Sequence, residues 1–438
     1  MLLILFSALT LSPSVARAQS TPGKLPVFVI DIDGLGPHEV GATIGRQWRA
    51  AFPRLEHKLD ALLAHRLETK MLSVKLGGEA LPAFARLPDS YYRAELDGLA
   101  AVLDLVSRNR LGDGFLSWDE LILVQQLPDF GAHDWGSGFG VYGSRTADGY
   151  PFVARNLDRD AHQAATISSL ESITVYRGRK GSLVSVGFAG NLGVTTGFND
   201  RGLFVALLPA SGSPESTEDH TPTEPIGFLL RQALERESDL DAVAQFLRTK
   251  PASSDHSILM ADMHRVEVLE HGTGRLAQVR NASSQHHPAM TWQRPEQIAV
   301  VGCFALKRMP SRCTGLRDRH RWHRYLDLAL FDPDQHLAEM DDISRIMFDR
   351  MNSHDAINSD ATHQVLIFQP HSVTLYLRSK VPTQRQPVEP MLYRYANLAT
   401  RASPEQRGII SLWIVLGLSL AALFGIVLMV RIFQRHSA

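Results

Sequence analysis

Hydrophobic residues in the first third of the chain recur mostly at helical spacing. After a short apolar strand at residues 27–33, the three- and four-residue periodicity predicts helices over residues 39–52, 54–72 and 91–106. Ser117, with Glu120 three positions later, matches a capping box that opens a further helix through residue 126. This part of the chain is therefore predicted to be mostly helical.

Strand patterns dominate from residue 137 onward. Paired apolar runs with short polar turns between them predict consecutive hairpins, and these favour an antiparallel sheet. The predicted strands are 173–177, 183–188, 193–198, 203–208, 257–261, 266–270, 276–279, 298–301, 364–369 and 372–377, and the predicted helices are 226–247, 316–330 and 336–350. Strand blocks that alternate with helix blocks, without regular βαβ spacing, predict an α+β layered fold.

The stretch from Gly136 to Asp160 is predicted to be a central hairpin. Asp148-Gly149 favours a tight turn, and the returning arm ends on Arg155-Asn156-Leu157-Asp158. Counting outward from the turn places Asp158 opposite approximately Phe139. An Arg, an Asn and an Asp would then lie beside the Gly136-Ser137 step. A hydroxyl next to such a charged cluster is a candidate nucleophile.

Two apolar runs at the ends of the chain predict export and membrane anchoring. Residues 1–20 close on Ala16-Arg17-Ala18, which predicts a cleaved signal peptide over residues 1–18, with an uncleaved anchor as the alternative. The uncharged run 409–430 is long enough to form a single C-terminal transmembrane helix. A cleaved leader would place the main domain outside the cytoplasm, in the periplasm or extracellular space. The predicted organisation is a domain at 19–380, a proline-rich linker at 381–408 and a cytoplasmic tail at 431–438.

Within the predicted transmembrane helix, Gly417, Ala421 and Gly425 follow at four-residue spacing. Such a face of small residues can pair helices into a homodimer. Small residues scattered in a lipid-facing helix are the alternative.

Composition and charge narrow the class of function. The chain is 44% hydrophobic and 21% charged, which fits a large folded core, and the net charge of −1 gives no basis for nucleic-acid binding. His320 and His323 lie on a predicted helix without a metal-binding motif, so no metal or cofactor is expected. Cys303 and Cys313 can form a disulfide in an oxidising compartment or remain two buried thiols.

Several short segments follow one another in a distinctive order. They are Gly41-x-x-x-Gly45, GSRTADG (143–149), ARNLD (154–158), TTGFNDRGL (195–203), the helix 226–247 that leads into SILMAD (257–262), and HQVLIFQP (363–370). Together they resemble the acyl-CoA:6-aminopenicillanic-acid acyltransferase family of N-terminal nucleophile (Ntn) hydrolases, which is related to choloylglycine hydrolases, and their order is more specific than any one segment. The resemblance implies a four-layer αββα fold with two stacked antiparallel sheets.

The resemblance also implies roles for individual residues. In that family a nucleophile released at a chain terminus uses its own α-amine, with a pKa of ~7.7–8.0, as general base. Arg155 and Asp158 match residues that line the nucleophile, with Asn156 between them assigned to substrate binding. Asn199 matches an oxyanion donor. An Arg near residue 320 lines the pocket in relatives, which makes Arg317 or Arg321 a candidate.

The sequence departs from the family at two active-site positions. Gly136 occupies the place of the family's nucleophilic Cys, and Gly302-Cys303-Phe304 replaces an Asn-His-Phe segment. A one-residue slip gives a Gly136-Ser137 scission step with Ser137 as the nucleophile. Because strand side chains alternate between faces, the slip also changes the face that Ser137 presents.

Two functional hypotheses follow. The first is an Ntn-type hydrolase or acyltransferase that acts on the amide or ester bond of a small acylated substrate, with Ser137, Arg155, Asp158 and Asn199 as the catalytic set. The second is a non-catalytic relative that binds an acylated ligand or a protein partner. The structural alternatives are a loop role for Ser137, an ion pair between Arg155 and Asp158, and a turn role for Asn199. The sequence favours an enzyme lineage.

Overall fold

A computed structural model describes residues 25–68, 90–107, 110–130, 135–159, 161–210, 223–274, 276–310, 313, 315–351, 356–379 and 391–399. The predicted leader at 1–18, transmembrane helix at 409–430 and tail at 431–438 lie outside these residues. Within the described ranges, no helix is both long enough and apolar enough to cross a membrane.

The strands and helices follow the predicted order closely. The strands are β1 (Val27–Asp31), β2 (Leu105–Val106), β3 (Leu116–Ser117), β4 (Trp135–Val141), β5 (Phe152–Asp158), β6 (Glu171–Arg177), β7 (Leu183–Phe188), β8 (Thr196–Asn199), β9 (Phe204–Pro209), β10 (His256–Ala261), β11 (Val266–Gly272), β12 (Leu276–Arg280), β13 (Gln297–Val300), β14 (Thr362–Gln369), β15 (Thr374–Ser379) and β16 (Met391–Arg394). The helices are α1 (Pro37–Ala51), α2 (Leu55–Glu68), α3 (Ser90–Ala100), α4 (Trp118–Gln126), α5 (Ala161–Ser168), α6 (Ile226–Arg236), α7 (Leu240–Arg248), α8 (Leu316–Leu328), α9 (Met340–Met347) and α10 (Tyr395–Ala399).

Two large sheets form the centre of the molecule. One has the strand order β1-β6-β7-β8-β9-β10-β11-β12, and the other has the order β13-β4-β5-β14-β15-β16. All neighbours in these two sheets are antiparallel except β1 and β6, which run parallel. The prediction of purely antiparallel sheets is therefore wrong at this one edge.

Apolar side chains divide into layers on either side of these sheets. One cluster fills the space between the sheets and includes Val153, Phe198 and Leu366. A second joins the eight-stranded sheet to the helices of the first half of the chain and to α6 and α7, and a third joins the six-stranded sheet to α8 and α9. This arrangement is a mixed α+β fold with stacked sheets between helical layers, as predicted.

Glycines allow α1 and α3 to pack backbone against backbone. A Cβ on Gly41 would lie 1.7 Å from the carbonyl oxygen of Glu95, and a Cβ on Gly98 would lie 1.8 Å from that of His38. No side chain fits in either gap. Gly41 is thus required by the contact between these two helices.

Three predicted elements differ in the structure. The helix predicted over 226–247 is broken into α6 and α7, because Asp239 caps a new helix by accepting a hydrogen bond from the N–H of Ala242 at 2.9 Å. The helix predicted over 91–106 ends at Ala100, and residues 105–106 form β2. Within the predicted linker 381–408, residues 391–394 form β16, which pairs with the edge strand β15.

The central hairpin forms, but its register differs from the prediction. Asp158 lies opposite Trp135, and Phe139 lies opposite Ala154. The arms are joined by residues 142–151, which include a 3₁₀ helix at Gly143–Arg145, and not by a two-residue turn at Asp148-Gly149. The longer connection shifts every cross-strand pair.

Candidate active site

Strand β4 presents glycines to the space between the sheets. A Cβ on Gly136 would lie 2.8 Å from Leu208 Cδ2, and a Cβ on Gly138 would lie 2.7 Å from Leu259 Cδ2. Both leucines belong to the eight-stranded sheet. Because side chains alternate along a strand, Ser137 and Phe139 point the other way, toward α8.

Ser137 is completely buried on this helix-facing side. Its Oγ donates to Asn156 Oδ1 at 2.8 Å and lies 2.8 Å from the hydroxyl oxygen of Tyr325. The backbone N–H of Ser137 also donates to Asn156 Oδ1, at 2.6 Å. The Tyr325 ring stacks on Phe139, and burial raises the pKa of its phenol, so the phenol stays protonated. The hydroxyl of Ser137 is thus held by two neutral partners.

Asp158 lies on the same face and connects β5 to α8. Its Oδ2 accepts from Arg317 Nη2 at 2.7 Å and contacts Arg321 Nη1 at 2.5 Å, while Oδ1 accepts from Thr362 Oγ1 at 2.6 Å. Both candidate arginines therefore reach the same carboxylate. These contacts hold the end of β5 against the helical layer.

Arg155 points to the opposite side of β5, into the space between the sheets. Its Nε and Nη2 donate to Thr196 Oγ1 at 2.9 and 2.6 Å, and Nη2 also donates to Gln364 Oε1 at 2.8 Å. The structure therefore does not bring Arg155 together with Ser137. The three-residue separation of Arg155 and Asp158 places their side chains on opposite faces of the strand, so they form no ion pair with each other.

Asn199 and Asn156 also have separate environments. Asn199 lies at the end of β8, where its Nδ2 donates to the carbonyl of Leu234 and its Oδ1 accepts from the N–H groups of Arg201 and Leu203. These contacts close the β8–β9 turn. Asn156 binds Ser137 through Oδ1 and donates from Nδ2 to the carbonyl of Ile357. Its amide is therefore directed at Ser137.

A cavity of about 50 Å³ lies between the sheets beside Arg155. One water needs roughly 10–15 Å³ of such volume, so the cavity has room for about four waters or a short acyl group. Apolar side chains form most of its wall, and Arg155, Arg159 and two threonines supply the polar part. The lining residues are Leu127, Pro128, Arg155, Leu157, Arg159, Ile167, Phe188, Thr195, Thr196, Leu207 and Pro209.

The segment that replaces the family's Asn-His-Phe is bound to α8 and to its own chain. The N–H of Gly302 donates to Asp318 Oδ1 at 3.1 Å, and a Cβ on Gly302 would lie 2.9 Å from the same oxygen. Cys303 and Cys313 form a disulfide with their Cα atoms 5.5 Å apart. Of the two alternatives for the cysteines, the structure shows the bonded one.

Sequence reasoning missed Tyr325, Glu171 and Gln364. Gln364 connects Arg155 to Glu171, because its Nε2 donates to Glu171 Oε1 at 3.1 Å. No motif marks these residues, since each comes from a different part of the chain. Among the residues that the structure describes, no group of three or more His, Cys, Asp or Glu side chains is placed to hold a metal ion.

Comparison with known proteins supports the predicted resemblance. Residues 144–290 match the model of the acyl-coenzyme A:6-aminopenicillanic acid acyl-transferase family. The match confirms the resemblance over this segment, and with it the enzyme lineage that the sequence favours. A search among curated proteins finds no match for the sequence.

Matches among solved structures include three of low identity and low structural similarity. An N-acylethanolamine-hydrolyzing acid amidase ortholog from Caenorhabditis elegans shares 15% identity at a TM-score of 0.40, over 53% of this chain and 92% of its own. A mutant conjugated bile acid hydrolase from Clostridium perfringens shares 14% identity at a TM-score of 0.33, over 61% of this chain and 95% of its own. The penicillin V acylase from Agrobacterium tumefaciens shares 9% identity at a TM-score of 0.36, over 61% of this chain and 89% of its own. At these scores, no activity is assigned from the likeness.

Proposed function

We propose that this chain binds a small molecule with a short acyl group in the cavity between its two sheets. The observation that carries the proposal is the position of Arg155 at that cavity, on strand β5, which lies within the family match. The apolar wall would hold the acyl chain. Arg155, with Thr196 beside it, would bind the carbonyl or carboxylate oxygen, because a buried guanidinium favours such acceptors.

In this proposal the ligand is not attacked by a residue of β4. Gly136, Gly138 and Gly140 are the β4 residues that face the eight-stranded sheet, and none has a side chain to act as nucleophile. Ser137 lies on the other face with its hydroxyl buried. Binding independent of a β4 nucleophile is therefore the function that the geometry supports best.

A second candidate is an Ntn-type amide or ester hydrolase, or acyltransferase, with Ser137 as nucleophile. It is favoured by the polar groups on Ser137's own face, where Asn156 and Tyr325 contact the hydroxyl and Asp158 is held by two arginines. Scission of the Gly136-Ser137 bond would free an α-amine as general base. Intact-mass analysis of the wild type beside Ser137→Ala tests this candidate, since a fragment beginning at Ser137 and absent from the variant is required.

Export and membrane anchoring are part of the proposal. The Cys303–Cys313 disulfide supports an oxidising compartment, because such bonds are rare in the cytosol. The apolar ends of the sequence, over residues 1–18 and 409–430, support a leader and a single-pass anchor. Cell fractionation with protease protection of the full chain tests both: digestion of the main domain from the cytoplasmic side would contradict the proposal.

The binding proposal is tested by calorimetric titration of the full-length protein with N-butyrylglycine. Replacing Arg155 by Met removes about one charge-assisted hydrogen bond of roughly 1.5–3 kcal/mol, which corresponds to an affinity loss of about 10- to 100-fold. Arg179→Met is the matched control, since Arg179 is 88% exposed and pairs with Asp33 at the surface. Equal affinity in both variants, with unchanged melting temperatures, would refute binding at Arg155.

A further inference from the structure

A serine, a histidine and a glutamate meet at the edge of the cavity. His363 Nε2 lies 2.7 Å from Glu171 Oε1, and Ser168 Oγ lies 3.4 Å from Nδ1 and 3.5 Å from Nε2 of the same imidazole. The His363 and Glu171 side chains are 1% and 3% exposed. Ser168, at the end of α5, is only partly buried. The most accessible member of the group is therefore the one with a hydroxyl.

A β-bulge directs His363 toward the other sheet. Thr362 pairs with Asp158 and Gln364 pairs with the next residue, Leu157, so His363 is the extra residue on β14. Thr362 contacts Asp158 on the helix-facing side, whereas His363 and Gln364 both contact Glu171 on β6 of the opposite sheet. Bulges of this kind commonly re-aim a side chain next to an active site.

The surroundings of Glu171 favour its ionised form. Burial alone would raise the pKa of Glu171, but His363, Arg159 and the Ser379 hydroxyl together hold this pKa below its ordinary value. A carboxylate at this position accepts the Nε2–H of His363. The other ring nitrogen, Nδ1, then carries no proton and can accept one.

The group also borders the proposed ligand site. Ile167, the residue before Ser168, lines the cavity, as does Arg159. Glu171 connects through Gln364 to Arg155, which lines the cavity from β5. The serine thus directly follows a cavity-lining residue, and the carboxylate is two hydrogen bonds away from Arg155.

We propose that Ser168, His363 and Glu171 form a Ser-His-Glu catalytic triad that transfers the short acyl group of the ligand bound in this cavity. Ser168 is the nucleophile, His363 is the general base, and Glu171 is a positioning residue that fixes the histidine tautomer. The inference rests on the proposed binding function and adds turnover to it. A triad is defined by such roles and not by sequence order.

The chemistry balances without a cofactor. Ser168 Oγ attacks the acyl carbonyl carbon while His363 Nδ1 takes the hydroxyl proton. The tetrahedral intermediate collapses, the bond to the amine or alcohol breaks, and this leaving group takes the proton from His363. Water then attacks the Ser168 ester with His363 as base, which releases the carboxylic acid and restores the serine.

The arrangement of Ser168 and His363 in the structure corresponds to a state before the serine attacks a substrate. The similar distances from Ser168 Oγ to the two ring nitrogens place the hydroxyl against the ring and not along one lone pair. A rotation about χ1 of Ser168 is needed to direct the proton at Nδ1. Catalytic hydrogen bonds are often long or poorly aligned before substrate binds.

Labelling with fluorophosphonate–rhodamine tests the triad in the full-length protein. The probe forms a covalent bond with an activated serine, and peptide mapping identifies the modified residue in the wild type without any variant. We expect the label on Ser168. A label on Ser137 or on any other residue overturns the proposal.

Variants then test the roles. Ser168→Ala should lose labelling and p-nitrophenyl butyrate hydrolysis, whereas the adjacent control Ser169→Ala should keep both, because Ser169 Oγ only donates to the Thr166 carbonyl. His363→Ala should slow hydrolysis by about 100-fold or more. Glu171→Gln should slow hydrolysis at a temperature at which the variant is still folded, with partial recovery in Glu171→Asp, and equal rates in these two variants would contradict a positioning role.

Binding of N-butyrylglycine, measured on the same preparations, separates the two proposals. Wild-type protein that binds this ligand but takes no label overturns the triad and leaves the proposed function standing. Protein that neither binds nor takes label overturns both. Labelling of Ser168 together with binding supports both.

Discussion

Replacement of Asp158 by Asn should strongly destabilise the fold. The substitution keeps the shape of the side chain but removes its charge. Asp158 is completely buried, and its carboxylate accepts from Arg317 at 2.7 Å and Thr362 at 2.6 Å and contacts Arg321 at 2.5 Å. Arg321 is itself 1% exposed, so the variant removes the carboxylate that its buried guanidinium contacts directly and leaves only the more distant charge of Asp318.

The expected loss in the free energy of unfolding is about 3–5 kcal/mol, the usual cost of breaking a buried ion pair from one side. Remaining bonds from Arg321 to the Ala356 carbonyl and to the Ser359 hydroxyl moderate the loss but carry no negative charge. We therefore expect the lower half of this range.

Asp349→Asn provides the matched control for this measurement. Asp349 accepts two hydrogen bonds, at 2.9 and 2.7 Å, from Arg324, which lies on α8 as Arg321 does. Arg324, however, is 22% exposed. The loss of the Asp349 carboxylate should cost about 1 kcal/mol, since water can hydrate the exposed arginine. Urea unfolding of both variants measures the difference. Equal losses would refute the argument that burial of Arg321 makes Asp158 structurally essential.

Three further predictions concern packing, the serine and pH. Gly98→Ala should cost about 3 kcal/mol or more in urea unfolding, since its methyl would lie 1.8 Å from the His38 carbonyl oxygen, and a loss below 1 kcal/mol would contradict that contact. Ser137→Ala should cost about 1–3 kcal/mol because the hydroxyl of Tyr325 loses its oxygen partner and keeps the weaker contact to Met347 Sδ at 3.9 Å, while N-butyrylglycine affinity, measured by calorimetry, stays unchanged. Burial and then a nearby arginine lower the pKa of His286 from 6.5 to about 4. Between pH 6.5 and about 4, the unfolded chain therefore binds a proton at His286 that the folded chain does not. The free energy of unfolding should fall as the pH drops through this range, and the fall should be smaller in His286→Gln.

The sequence predicted the layered fold because its strongest signals are local. The capping box at Ser117 and Glu120 forms as predicted, with the serine N–H donating to the glutamate at 2.6 Å. Gly41, which belongs to the first of the family-like segments, is needed at the contact between α1 and α3 because a side chain there would overlap the backbone of Glu95. Hydrophobic periodicity also separated the helical front of the chain from the sheets.

The candidate site was less accessible to sequence reasoning because it depends on register and on strand faces. A tight turn at Asp148-Gly149 would have placed Asp158 near Phe139, whereas the longer connection pairs Asp158 with Trp135. Alternation along β5 then separates Arg155 from Asp158. The catalytic roles predicted for Ser137, Arg155, Asp158 and Asn199 remain predictions, and the structure places them in three different environments.

The bulge on β14 is a second feature that could not be predicted from the sequence. The sequence of residues 362–364 has no glycine or proline to mark an extra residue, and the partner of His363 lies 192 positions away along the chain. Side chains that meet across two sheets leave no local pattern. Only the folded arrangement shows the histidine beside Ser168 and Glu171.

The proposed function requires that the cavity beside Arg155 binds a short acyl group. The most direct measurement is a titration of the wild type and of a cavity-filling variant, Thr195→Phe, with N-acylglycines of increasing chain length. Thr195 lines the cavity and is partly exposed, so a phenylalanine ring at this position would occupy the cavity. We expect tightest binding for short chains and loss of binding in the variant, provided that its melting curve shows it to be folded. Equal affinity of wild type and variant, or affinity that keeps rising up to a palmitoyl chain, would contradict the proposed function.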